Sequence, residues 1–387
     1  TPPQSASATL QIPPWQQQSR VTLQSTLCDW AFVGQAEQEP SASDLDVGFT
    51  LAELSWAPML SDRLYMTVGK FNLSYEQPGP FQVLDFTSQS SDPFDDYSDI
   101  EGMKMISLDY LSGENADGWT ISPSIAEGQG QRGAADTPSY QWQLALQRSF
   151  DSLSLTLLAQ QPEGWEPGVG ASWSWVAGSA WQLMGSAFVR KGTQYTDAME
   201  SAFEPVPEIT GIESPLIRSQ SKYYPRLQFG LEWSDLNQSL AWNWRYDSRL
   251  LTRDEQGQLY LATNADASST AGWQDEIPAE SADWVADIQS VLVSELTRIR
   301  SGRHQQHYMY ASYRRSLELW AGKQTEFGTS LLMGMDESHI WQLELDHSVS
   351  WSFTLQVDLL RFNGAEDSEF GSLPWLWQGR VGFQWVL

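Results

Sequence analysis

The sequence predicts an all-β protein, an antiparallel up-and-down β-barrel that crosses a membrane. Three observations predict it. Apolar and polar residues alternate along most of the 387 residues. No apolar run reaches the ~20 residues that a membrane-spanning helix needs. The connections between alternating segments are short and long in turn. A strand sends successive side chains to opposite faces. In a membrane barrel one face meets lipid and the other meets a polar interior.

Composition narrows the class. The formal charge of -27 argues against nucleic-acid binding, which needs a basic footprint. The mean hydropathy of -0.39 suits a chain that exposes apolar groups only at every second position. The single Cys28 excludes an intrachain disulfide and a cysteine-based metal cluster. Thr1 is not Met, which fits an exported and processed chain.

Residues 1–18, rich in Pro, Gln and Ser, read as an irregular N-terminal periplasmic segment. Residues 19–387 read as one barrel domain. Strand patterns fall at 19–30, 47–60, 64–77, 103–113, 118–129, 139–150, 153–164, 167–178, 181–195, 222–235, 238–251, 304–315, 318–331, 339–348, 350–363 and 375–387. That is about sixteen, the even number expected of bacterial barrels. Short turns occur at Ser61-Asp62, Asp151-Ser152, Gly178-Ser179 and Leu236-Asn237. Long connections occur near 31–46, 78–102, 196–221, 252–303 and 364–374. Short periplasmic turns and long extracellular loops are the barrel habit, and they place both chain ends in the periplasm.

The lipid-facing side is aromatic. It carries Tyr140, Trp142, Leu144 and Leu146, then Val169, Ala171, Trp173 and Trp175, then Leu240, Trp242, Trp244 and Tyr246. Trp351 and Phe353 continue it, and Trp377, Val381, Phe383, Trp385 and Leu387 end it. Trp142, Trp173, Trp175, Trp242, Trp244, Trp351, Trp377 and Trp385 are the expected interfacial girdle. Most of the 20 Trp fall on this face, so girdle and wall explain them before sugar stacking does.

One segment breaks the period. In 280–301, Trp284, Ile288, Val291, Leu292, Leu296 and Ile299 recur at helical spacing. This loop helix either packs its stripe on neighbouring loops, the plainer reading, or plugs the barrel.

Hairpin geometry predicts two inward charge pairs. A turn at Leu236-Asn237 sets Arg226 opposite Asp247, and a hairpin centred on Glu369 sets Asp358 opposite Arg380. Arg190, Arg245, Glu344 and Asp346 join them as expected lumen residues. A charged constriction and a wall salt bridge explain such pairs equally well, and the mixed signs argue against a purely anion-selective pore. The loops hold most of the acids. Asp92, Asp95, Asp96 and Asp99 offer carboxylates to Ca²⁺, though without a known calcium-loop spacing. The bland alternative is a solvated acidic loop. An acidic mouth attracts cations.

Catalysis is not expected, and neither is a cofactor other than that Ca²⁺. The histidines are His304, His307, His339 and His347, and no nucleophile, zinc-protease or nucleotide motif accompanies them.

Strand number, loop alternation and the ending Val381-x-Phe383-x-Trp385-x-Leu387 resemble the Gram-negative outer-membrane β-barrels, porin-like in size. The ending is similar to their membrane-insertion signal, whose last residue is usually Phe or Trp, so Leu387 departs from it. The resemblance implies an integral outer-membrane location among lipid and lipopolysaccharide. The first functional expectation is a channel or transporter for small polar solutes, favouring cations or neutral molecules. The alternatives are a scaffold barrel that anchors an envelope protein partner, and a transporter of hydrophobic compounds. A homo-oligomer is open as well.

Overall fold

A computed structural model describes residues 19–27, 29–40, 45–76, 80–81, 83–84, 102–113, 118–128, 139–163, 166–192, 222–250, 305–319, 323–350, 353–365, 368, 370 and 377–385. The strands are β1 (Ser19–Leu27), β2 (Trp30–Pro40), β3 (Leu45–Trp56), β4 (Met59–Ser61), β5 (Leu64–Phe71), β6 (Met103–Leu111), β7 (Trp119–Gly128), β8 (Ser139–Ser149) and β9 (Leu153–Pro162). They continue with β10 (Gly168–Ala177), β11 (Trp181–Lys191), β12 (Tyr223–Ser234), β13 (Gln238–Asp247), β14 (His307–Leu319), β15 (Lys323–Gly334), β16 (His339–Ser350), β17 (Phe353–Asn363) and β18 (Trp377–Trp385).

Each wall strand pairs antiparallel with the next, as in an up-and-down barrel. β3 and β4 both pair with β5 and form one wall strand broken at 57–58. Pro58 sits at the break. It has no N–H to give a ladder, while its carbonyl still accepts from Met66 N–H at 3.2 Å. Pro123 leaves a second gap. The β6–β7 register lacks pairs at Leu108, which lies opposite it, and at Asp109, opposite Ser122.

Among the described residues the wall therefore has seventeen passes, where the alternation predicts about sixteen. The difference lies at 31–46. Beyond Val33 this stretch is Gly, Gln, Ala and Glu, which reads as a loop, yet Trp30–Pro40 forms β2. Backbone ladders to β1 and β3 supply what the side chains do not advertise. With this odd number, β1 and β18 run in the same direction, so Ser19 lies at the end opposite Trp385. That differs from the expectation of both ends in the periplasm. Residues 1–18 and the helix expected at 280–301 lie outside the described residues.

One end of the wall has only short turns. The turn after β12 shows why. Asp235 accepts hydrogen bonds from Asn237 N–H (2.8 Å) and Gln238 N–H (2.9 Å), which close the chain locally. Hydrogen bonding from Asn237 N–H and the Gln238 side chain holds the Asp235 carboxyl below the usual carboxylate range. The other end carries the long connections and also three short ones, at 41–44, 163–167 and 335–338. Strict alternation of short and long therefore does not hold. At 335–338 the turn is forced tight by Glu337 in the left-handed region (φ 66°) and by Asp336, which accepts from Ser338 N–H at 2.9 Å.

The faces sort by chemistry. Trp142 is 62% exposed and its neighbour Gln143 only 4%. Leu157, Leu227, Leu343 and Leu359 stand on the exposed face, while Gln141, Ser172, Ser174 and Asn243 are buried on the other. An apolar exterior over a polar interior reverses the soluble arrangement and needs lipid outside. Aromatic pairs mark both rims of this band. Trp30–Trp56 (6.2 Å) and Trp181–Trp233 (6.4 Å) lie at the short-turn end. Trp244–Tyr246 (6.5 Å) and Tyr246–His307 (4.7 Å) lie at the other. Arg148 sits 4.6 Å from the Phe150 ring and Arg361 5.2 Å from the Trp377 ring, one at each rim. Trp175, Trp242 and Trp377 are exposed as a girdle requires, whereas Trp173 is half-buried over Gly185 and beside Phe229. Trp351 lies outside the described residues, as does the Trp385 side chain. The chain is thus the wall of an integral membrane barrel of the outer-membrane type.

A charge placed on the outer face meets hydrocarbon. Leu157→Arg, in the middle of β9, is expected to lower stability by about 2–4 kcal/mol. Guanidinium unfolding from lipid vesicles, followed by Trp fluorescence, measures it.

Candidate functional site

The inner face is not an open polar tube. After Phe71 the chain leaves the wall and turns inward. Tyr75 is 4% exposed, Phe81 1%, and Val83 and Leu84 0%. Ser172 Oγ on β10 donates to the Tyr75 carbonyl at 2.9 Å. The Glu76 carboxylate accepts from Val83 N–H at 2.8 Å and from Leu84 N–H, so the inward segment closes on itself. Two of its backbone donors, the Val83 and Leu84 amides, which no sheet pairs, are thereby satisfied.

This segment is anchored at two places. On one side Tyr75, Val83 and Leu84 pack with Ala145, Leu158 and Phe188 of β8, β9 and β11. Leu84 sits against Gly170, where a Cβ would strike it. On the other side Phe81 joins Tyr308, Tyr310, Leu332, Ile340, Leu360 and Phe362 of β14–β17, together with Phe370. The Phe81 and Tyr308 rings lie 6.4 Å apart. A crossbeam thus runs inside the wall, from β8–β11 to β14–β17. The end of the expected strand 64–77, which leaves the sheet after Phe71, and the start of the 78–102 loop, expected only as an acidic extracellular loop, supply it. Asp92, Asp95, Asp96 and Asp99 lie outside the described residues.

Between the two anchors, on β11, β12, β13 and the chain just after β13, four arginines gather. The turn at Asp235 sets the register that places Arg226 opposite Asp247. Asp247 is fully buried. Arg249 grips it twice, Nε to Oδ1 at 2.9 Å and Nη2 to Oδ2 at 2.6 Å. Arg245 Nη2 lies 3.3 Å and Arg226 Nε 3.4 Å from Oδ2. Arg190, on β11, lies within electrostatic reach of Arg249, and Arg226 within reach of Glu76. The Arg245 guanidinium also stands 5.9 Å from the Phe81 ring, which ties the cluster to the crossbeam. Among the described residues, four guanidiniums thus stand near two carboxylates, Asp247 and Glu76, in a half-dry interior where electrostatic interactions are stronger than in water.

The other inward charges lie apart, toward the short-turn end. The register runs from Arg314 through Gly328 and Glu344 to Asp358 and Arg380. Arg314 Nη2 lies 3.1 Å from Glu344 Oε2, and Gln342 Nε2 lies 3.4 Å from Asp358 Oδ1. The Arg380 side chain lies outside the described residues. Asp346 stands one row further along, opposite Gln356. The eight charges expected at the lumen therefore divide into a basic group, which includes Arg190, and an acid-rich row. Arg249 and Glu76 complete the basic group. Both fall inside the expected strands 238–251 and 64–77, but β13 ends at Asp247 and β5 at Phe71, so each reaches the site from the chain just beyond its strand. Among the described residues no cluster of His, Cys, Asp and Glu suits a metal ion.

No family model matches this sequence, and no curated protein matches it. Solved structures are similar to it at low identity. The Escherichia coli protein Wzi, described as a carbohydrate-binding β-barrel of the outer membrane involved in group 1 capsule assembly, is 10% identical, with a TM-score of 0.47 over 89% of this chain and 74% of its own. Acinetobacter baumannii OccAB1 is 8% identical, with a TM-score of 0.49 over 95% and 89%. Pseudomonas aeruginosa OccK8 (OprE) is 9% identical, with a TM-score of 0.48 over 90% and 88%. What makes this chain a membrane barrel is its own strand pairing and its own apolar exterior.

Removing the shared carboxylate leaves buried guanidiniums without their counter-charge. Asp247→Ala is expected to cost about 3–5 kcal/mol, measured by chemical unfolding in vesicles. Gly170→Leu places a side chain where Leu84 sits. It is expected to push the crossbeam off the wall and raise single-channel conductance.

Proposed function

We propose that this protein is an outer-membrane channel for small polar solutes, with a preference for those bearing negative charge. It works without chemistry or cofactor of its own. The observation that carries the reading is the convergence of Arg190, Arg226, Arg245 and Arg249 beside the crossbeam. Selectivity is set where a solute must shed water and meet the wall. The acidic loops weigh less, because exposed charge is screened within ~8 Å at physiological salt. The preference for cations or neutral molecules suggested by the acidic mouth therefore gives way to the buried guanidiniums. A dry cavity for hydrophobic compounds finds less support, since the apolar patch on β14–β17 is already filled by Phe81.

Reversal potentials across a planar bilayer in a KCl gradient test the reading. Chloride is expected to permeate better than potassium. The variant Arg226→Gln with Arg245→Gln is expected to move the potential toward potassium. Potassium selectivity in the wild type, unmoved by that variant, would overturn it.

A further inference from the structure

The outer wall carries a charge that a lipid-facing surface does not need. At the long-loop rim Arg361 of β17 faces outward, opposite Trp341 of β16 on one side and Trp377 of β18 on the other. Both indoles are open to the surroundings, Trp341 by 45% and Trp377 by 53%. The guanidinium stands 5.2 Å from the Trp377 ring. Among the described residues it makes no hydrogen bond and no ion pair. A cation at the edge of hydrocarbon costs free energy unless an opposite charge meets it.

One row nearer the rim, His339 lies opposite Asn363. His339 Nδ1 lies 3.2 Å from the Glu337 carbonyl oxygen, and Asn363 Nδ2 lies 3.1 Å from His339 Nε2. With Nδ1–H donating and Nε2 accepting, both ring nitrogens are used and the imidazole is neutral. Arg361 is then the cation of this patch. The exposed Asn363 amide keeps a carbonyl oxygen and a second N–H for a polar ligand.

One row nearer the middle of the wall, Leu359 lies opposite Leu343 and Gly379. Leu343 and Leu359 are exposed. Gly379 has no side chain, and a Cβ there would meet nothing closer than the Asp358 carbonyl oxygen at 4.0 Å. Val381, two residues further along β18, is exposed on the same face. Gly379 thus leaves a shallow apolar groove between Trp377 and Val381. A cation lies above it and hydrocarbon below, which is the order of a lipid's phosphate and its chain.

We propose that this patch binds one phosphorylated glycolipid of the outer leaflet, a lipid A. Its phosphate meets Arg361, whose planar fork of donors matches phosphate oxygens. Its sugar lies against Trp341, Trp377 and Asn363, and one acyl chain runs over Gly379. The long-loop end faces outward from the cell in barrels of this type, which puts the patch in the glycolipid leaflet. Indole faces and a side-chain amide suit a hydroxylated ring better than the small head of a phospholipid. The site does not depend on what the lumen passes.

Native mass spectrometry of the folded barrel in detergent counts the lipid that stays bound. Three probes are used: bisphosphorylated lipid A, the same lipid with its phosphates removed, and phosphatidylglycerol. The phosphorylated lipid A is expected to be retained more tightly than either of the others. Arg361→Gln is expected to weaken it roughly tenfold, the effect of one lost charge-assisted contact, and to leave the dephosphorylated lipid unchanged. Gly379→Leu places a side chain in open space and is expected to weaken both forms of lipid A. Retention of phosphatidylglycerol as tight as that of lipid A overturns the glycolipid assignment. A wild type that retains no lipid A, or an Arg361→Gln barrel that retains it as wild type does, overturns the site. Both substitutions lie on the outer face, so reversal potentials are expected to stay as in wild type.

Discussion

A backbone amide left unpaired in hydrocarbon costs several kcal/mol, and the structure follows from avoiding that cost. Only a continuous ladder satisfies a chain without spanning helices, so the polypeptide runs up and down through successive antiparallel pairs. The ladder then fixes which side chain faces which solvent. It tolerates few prolines: Pro58 marks a break in a wall strand and Pro123 a gap in a register. It also tolerates poor strand formers, since β2 pairs despite its Gly, Gln and Glu content. Side-chain propensity is the weaker force here.

The interior solves a second version of the same problem. A segment that enters the barrel without joining the sheet must bring its own partners. The inward chain does so through Glu76, which collects the Val83 and Leu84 amides, and through the Tyr75 carbonyl, which takes a bond from Ser172. Apolar contacts then hold both of its sides. The arginines of β12 and β13 stand beside it, and the buried Asp247 carboxylate keeps them together. These arginines are thereby gathered on one sector of the wall, apart from the acid-rich row on β16 and β17.

Much of this wall is legible in the sequence, because a period of two leaves a signature at every strand that carries large apolar residues. Leu240, Trp242, Trp244 and Tyr246 announce β13 without help. The register of its hairpin follows from a turn that Asp235 closes, and this brings Arg226 to Asp247. β2 is silent for the opposite reason, because its outer half lacks large apolar groups. The crossbeam is illegible because no local pattern states that a loop folds inward. Tyr75 reads as the end of a strand, and Phe81, Val83 and Leu84 as scattered loop residues, until the partners on distant strands are known. Arg249 and Glu76 belong to the site for the same non-local reason.

The crossbeam's two anchors have different ages in the life of the chain. The described part of the segment ends at Leu84, but its sockets are built from residues between Ala145 and Phe188 on one side and between Tyr308 and Phe370 on the other. Neither socket has been synthesised when the segment is made. Contacts so distant in sequence carry a large loop-closure cost. Holding the beam at both sides therefore requires β8–β11 and β14–β17 together, and a chain truncated before β14 would lack the residues that hold it at the far side.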